Sequence, residues 1–136
     1  IREAKVNNAV SDIASVKEIR DFLVTQQRQM GKDKGIVMDG RDIGTVVFPE
    51  AESKFFLTAS PEIRAKRRHK EQLEAGNLEP YEAVLENVKA RDHQDSTRLI
   101  NPLRKAESAV EIEVSNLSID EVYEQMMNQI KGVIGV

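Results

Sequence analysis

Cysteine is absent from the 136-residue chain, and so is tryptophan. The first absence excludes disulfides, thiolate metal sites and a cysteine nucleophile, and it fits a reducing, cytoplasmic setting. Aromatic residues make up only 4%, so any core must be largely aliphatic. No apolar run approaches the roughly 18 residues of a membrane span. No basic stretch leading into an apolar one marks a secretory leader. There is no internal repeat, low-complexity block or Pro/Gly-rich linker. Neither sign of charge dominates: 20 Lys and Arg stand against 23 Asp and Glu, a formal net charge of −3. That balance argues against a general sleeve for nucleic acid. A G-x-x-x-x-G-K-[ST] phosphate loop is also missing, since Gly31-Lys32 is followed by Asp33 and no glycine stands five residues before Gly31. His69 and His93 lie far apart without ligand partners at useful spacing, so no metal site is expected.

What remains is a densely charged chain, 32% Asp, Glu, Lys and Arg, that alternates helices with short apolar runs. Val6, Val10 and Ile13 predict a helix over 2–13. Val16, Ile19, Phe22 and Leu23 predict another over 15–29, capped by Ser15 with Glu18. The run 35–39 and the run 54–59 read as buried parallel strands. Ser60-Pro61 opens a helix reaching about Ala75. Pro80 opens the next, with Tyr81, Val84, Leu85 and Val88 on one face. The alternation at 110–114 predicts a strand with one polar face. Ser118 and Glu121 form a capping box for a last helix, with Ile119, Val122, Met126 and Ile130 as its stripe. Strands alternating with helices imply an α/β fold with a parallel sheet, whose ligands sit beyond the carboxyl ends of the strands.

Three constellations carry polar chemistry. In Asp39-Gly-Arg-Asp-Ile-Gly-Thr45, two glycines permit a tight turn and close backbone approach. Arg41 offers a planar fork for phosphate, and Asp42 a carboxylate that accepts from an amino group such as cytosine N4. The same stretch is also readable as a tight strand-to-helix turn with a solvent ion pair. Arg91, Asp95 and Arg98 fall on one helical face, as a grip on a phosphorylated sugar or as a surface salt-bridge ladder. Arg64, Arg67 and Arg68 cluster on the helix after Ser60, as a neutraliser of polyphosphate, an RNA contact or a solvated face.

In this order, and with Asn8-Ala9-Val10-Ser11 and Ile19-Arg20 upstream, the constellations resemble bacterial cytidylate kinases of the nucleoside monophosphate kinase group. The likeness is strongest at Asp39-Gly-Arg-Asp-Ile-Gly-Thr-Val-Val-Phe-Pro49. It continues through Phe55-Phe-Leu-Thr-Ala-Ser60 and covers essentially the whole chain. The resemblance implies transfer of the γ-phosphoryl group of ATP to CMP or dCMP with Mg2+, giving CDP or dCDP. It implies that Ser11, Arg20 and Asp42 read cytosine, that Arg91 and Asp95 hold the ribose hydroxyls, and that Arg41 and Arg98 clamp the acceptor phosphate. Arg64, Arg67 and Arg68 would close as a lid. Uracil presents the opposite pattern at position 4 and would leave the Asp42 carboxylate unpaired.

The family pattern begins with a strand and phosphate loop that this sequence does not contain. The expectation is therefore the C-terminal part (1–136) of a single domain, with 60–95 as a lid-like helical segment, inactive by itself. Its fold is expected to be a P-loop NTPase-like three-layer parallel sheet lacking the phosphate-loop strand, with about three strands and five helices. That strand would lie between 35–39 and 54–59, so its absence leaves edges open to association or exchange of elements. The complete enzyme is expected to be a cytoplasmic monomer whose partners are CMP or dCMP and ATP, without membrane or specific nucleic-acid partners. The alternatives are a non-catalytic nucleotide-binding or association module and, from the arginine helix, an RNA-contacting accessory domain.

Overall fold

A computed structural model of the chain describes residues 9, 10 and 12–135. The chain divides into two compact units, Ile1–Glu50 with His93–Lys105, and Ala51–Asp92 with Ala106–Val136.

The first unit is built on helix α1, Lys17–Met30. Its N-cap position is Val16, which contributes no side-chain cap; Ser15 instead donates from Oγ to the carbonyl of Asp12 at 2.6 Å. The predicted capping box is therefore absent, because Ser15 closes the preceding turn. The expected apolar stripe is also not the buried face. Val16, Ile19, Phe22 and Leu23 are all exposed, whereas Arg20 and Val24 are buried. The covered face centres on Arg20 and Val24, four residues apart, while the exposed Arg28 on the same stripe reaches the carbonyls of the next element. Gly31 ends α1, and a Cβ there would lie 2.4 Å from the ring of Phe48. Only glycine leaves room for that ring to sit on the helix end.

The next element is a π-helical turn, Ile43–Val47. The sequence predicts a plain tight turn here; instead the carbonyl of Asp42 accepts from the amides of Val46 (2.8 Å) and Val47 (3.2 Å), and Phe48 donates to Ile43 at 2.7 Å. Val47, the last residue of the turn, is buried. Residues 34–39 form no strand. A strand needs a laddered neighbour, and the sheet of the described residues holds only two strands. Of the predicted helix at 2–13, residues 9, 10, 12 and 13 are helical, and the others lie outside the described residues.

The second unit holds β1 (Phe55–Thr58) and β2 (Val110–Glu113), paired in parallel with Phe55 opposite Val110. Ile112 is the buried residue of β2 and its glutamates face outward, as the alternation predicts. Helix α2, Pro61–Glu74, starts from Ser60, whose Oγ accepts from the amide of Ile63 at 3.2 Å. Proline at the first helical position lacks the N–H that would otherwise need a partner. Helix α3, Tyr81–Thr97, packs Tyr81, Val84, Leu85 and Val88 against the fully buried Ala65 of α2. Helix α4, Ile119–Ile134, carries the predicted capping box of Ser118 and Glu121. Val122, Met126 and Ile130 of its stripe are half-buried, but Ile119 is exposed because it stands at the helix start. No helix among the described residues is long and apolar enough to cross a membrane.

Candidate functional site

The candidate site forms in the first unit, where α1, the π turn and the end of α3 bring five of the predicted residues together. Arg20 donates through Nη2 to Oδ2 of Asp42. Both side chains are almost fully buried, at 8% and 4% exposure. A buried ion pair must recover a large desolvation cost, so it persists only where its geometry is tightly held. Here Arg20 sits on the covered face of α1 and Asp42 at the start of the π turn. Arg20 Nε is also buried, with no hydrogen-bond partner among the described residues. A buried donor without an acceptor is costly, and it lies beside the Asp42 carboxylate, for which the family resemblance implies base reading.

The second pair is Arg41 with Asp95. Arg41 Nε donates to Asp95 Oδ2 at 3.0 Å; the arginine is half-exposed and the aspartate is buried. The carbonyl of Asp95 accepts from the amide of Leu103 at 2.7 Å, which ties the end of α3 to the following loop. Arg98 comes next. Its Nη1 lies 3.8 Å from Asp95 Oδ1, and its Nε and Nη2 donate to the carbonyl of Asn101 at 2.8 and 2.5 Å. Asn101 adopts a left-handed backbone with φ of 48°, a conformation that asparagine tolerates better than most residues. Burial, and after it the positive charge of Arg20, hold Arg98 below its ordinary value, while Asp95 and Asp42 pull the other way.

The charges of this cluster do not cancel. Arg20, Arg41 and Arg98 bring three cations, against the two carboxylates of Asp42 and Asp95. The surplus of one positive charge sits in a partly desolvated place, where attraction for an anion is stronger than in water.

The other predicted residues lie elsewhere. Ser11 falls outside the described residues. Arg91 lies one helical turn before Asp95 on α3, within the second unit. Arg64, Arg67 and Arg68 are on α2 of the second unit. Arg64 is engaged on all sides: Nε donates to the carbonyl of Ala59 at 3.0 Å, and Nη1 and Nη2 donate to the two oxygens of Asp92 at 2.8 and 2.5 Å. That forked bond raises its pKa above the ordinary value. Arg67 donates to the carbonyls of Val114 (2.8 Å) and Ser115 (3.2 Å) beyond β2. No three His, Asp or Glu side chains among the described residues come together as a metal site, so no residue here is assigned to Mg2+.

Sequence reasoning missed Asp92 and Asn101, which hold Arg64 and Arg98, and Arg28, which holds the π turn. Asn101 had a usable signal, an asparagine before Pro102 in a loop. Asp92 and Arg28 had none, because their partners are distant in sequence.

The sequence model of the cytidylate kinase family matches residues 1–132. The chain is 50% identical to the cytidylate kinase of Bacteroides fragilis over 98% of its own length and 58% of that protein. It is 51% identical to the cytidylate kinase of Parabacteroides distasonis over 99% of the chain and 59% of the relative. The cytidylate kinase of Clostridium botulinum is 48% identical over 96% of the chain and 60% of its own length. The chain therefore spans about three fifths of these curated relatives. It belongs to the cytidylate kinase family. The parallel β1–β2 pair flanked by helices is consistent with part of a P-loop NTPase-like α/β sheet.

Proposed function

We propose that this chain supplies the acceptor side of a cytidylate kinase whose complete form transfers the γ-phosphoryl group of ATP to CMP or dCMP. The observation that carries the reading is the cluster of Arg20, Asp42, Arg41, Asp95 and Arg98, with its buried Arg20–Asp42 pair and its single surplus positive charge. Asp42 accepts from the N4 amine of cytosine, and Arg20 donates toward O2 and N3; Ser11 is a further acceptor for the amine. Asp95, with Arg91 on the same helix, takes the ribose hydroxyls. Arg41 and Arg98 receive the acceptor phosphate, whose negative charge offsets the surplus. Phosphoryl transfer depends on alignment and charge neutralisation more than on covalent help, which suits a site built from guanidinium groups.

Arg64, Arg67 and Arg68 act as the lid over the transferring group, within the helical segment 60–95 of one domain. Arg64 and Arg67 must then exchange their present acceptors on Asp92, Ala59, Val114 and Ser115 for phosphate oxygens. ATP, with Mg2+, is the phosphoryl donor and is held by the remainder of the complete protein, which works as a cytoplasmic monomer.

The test compares ADP formation by the complete protein with CMP, dCMP and UMP. A strong preference for the cytidine nucleotides is expected. Equal turnover of CMP and UMP, or none with CMP, would overturn the reading.

A further inference from the structure

The π turn that carries Asp42 is gripped at both ends by one helix. Arg20 takes hold at its start through the Asp42 carboxylate. At its end Arg28, eight residues further along α1, donates from Nη2 to the carbonyl of Val46 at 2.7 Å and from Nε to that of Val47 at 3.1 Å. Eight residues of helix span about 12 Å, so two arginines on one rigid rod set the length of the turn between them. The grip answers a specific need. The last carbonyls of a helical turn have no partner within it, and a basic side chain is well suited to them. A single π turn is marginal without outside support. Its residues Ile43, Thr45, Val46 and Val47 are β-branched and poor helix formers. The Asp42 carbonyl is bonded to the amides of Val46 and Val47, the same two residues whose carbonyls Arg28 holds. A shift of those residues is therefore transmitted to the backbone of Asp42 itself. Phe48 seated on Gly31 closes the same end.

We infer that Arg28 is a positioning residue for nucleobase selection: it fixes the π turn and so the place of the Asp42 carboxylate, without touching the nucleotide. The inference rests on the cytosine-reading role proposed for Asp42. It is not a statement about fold stability, because the arginine head is largely exposed and the contacts are to one turn only.

The experiment uses the complete protein with Arg28→Ala and Arg28→Lys. In Arg28→Ala, kcat/KM for CMP is expected to fall about tenfold, UMP to fall much less, and KM for ATP to stay unchanged, so the CMP:UMP ratio collapses. Arg28→Lys, able to reach one carbonyl, recovers part of the ratio. Amide exchange at Val46, Val47 and Phe48 speeds up in the alanine variant, while that of β1 and β2 does not. An unchanged CMP:UMP ratio in Arg28→Ala overturns the inference, whatever happens to stability; should that variant fail to fold, an unchanged ratio in Arg28→Lys does the same. A wild-type protein that does not distinguish CMP from UMP overturns the cytosine-reading role, and this inference with it.

Discussion

At the scale of single residues, the Arg20–Asp42 pair is a tightly constrained feature. Both side chains are buried, so removing one partner leaves an uncompensated charge in a poorly solvated place. Asp42→Ala is expected to cost about 3–5 kcal/mol of stability. Replacing both, as Arg20→Met with Asp42→Leu, is expected to recover most of that loss, since apolar groups of similar size avoid the desolvation cost. Urea denaturation of the complete protein checks both. A loss below about 1 kcal/mol in Asp42→Ala would place the pair in solvent instead. Activity separates from stability here. Neither variant should discriminate CMP from UMP, and Asp42→Ala should harm CMP use far more than ATP affinity. The two aspects of this position were not equally legible. Asp42 stood out because a carboxylate in a glycine-flanked loop invites a ligand; Arg20 looked like one charge on an amphipathic helix. Its burial follows from Asp42, a partner 22 residues away.

Secondary-structure elements were legible where their signals are local. Ser60-Pro61 and the Ser118–Glu121 box mark helix starts through neighbours within four residues, and both appear as predicted. In the second, the backbone and hydroxyl of Ser118 bond the Glu121 carboxylate and hold it below its ordinary value of 4.5. A depressed carboxylate pKa contributes stability that is present above the unfolded value and lost as pH falls through the folded one. Helicity of α4 should thus fray as pH falls below the ordinary glutamate value and through the depressed one of Glu121. Glu121→Gln should remove that acid-range dependence, and circular dichroism across the acid range reads it. An identical acid profile in the variant would mean that the carboxylate does not titrate with the helix. Ser15 shows the opposite case: its cap signal is equally local, but a competing acceptor on Asp12 takes the hydroxyl. The strand expected at 35–39 fails for a different reason. An apolar run specifies burial, while a strand also needs a neighbour to bond, and sequence spacing cannot supply one. Likewise the π turn was invisible, since its β-branched residues argue against any helix and its outside support comes from Arg20 and Arg28, distant in sequence.

For the molecule as a whole, the absence of a phosphate loop in these 136 residues has a direct consequence. The purified chain by itself is expected to form no ADP from ATP and CMP, because its sequence holds no phosphate-loop motif to cradle the donor phosphates. Robust turnover in a coupled assay would overturn this. The sequence by itself determined the α/β class through caps and apolar periodicity, and its motifs carried the family resemblance, because these are short-range patterns. The tertiary structure alone decided which of the polar residues meet. It joined Arg41 and Asp95 across 54 positions, buried Arg20 with Asp42, and gave Arg64 to Asp92. Those pairings depend on the cost of leaving a buried charge or carbonyl without a partner, and that cost is settled only when the chain has folded and distant groups share one low-dielectric place.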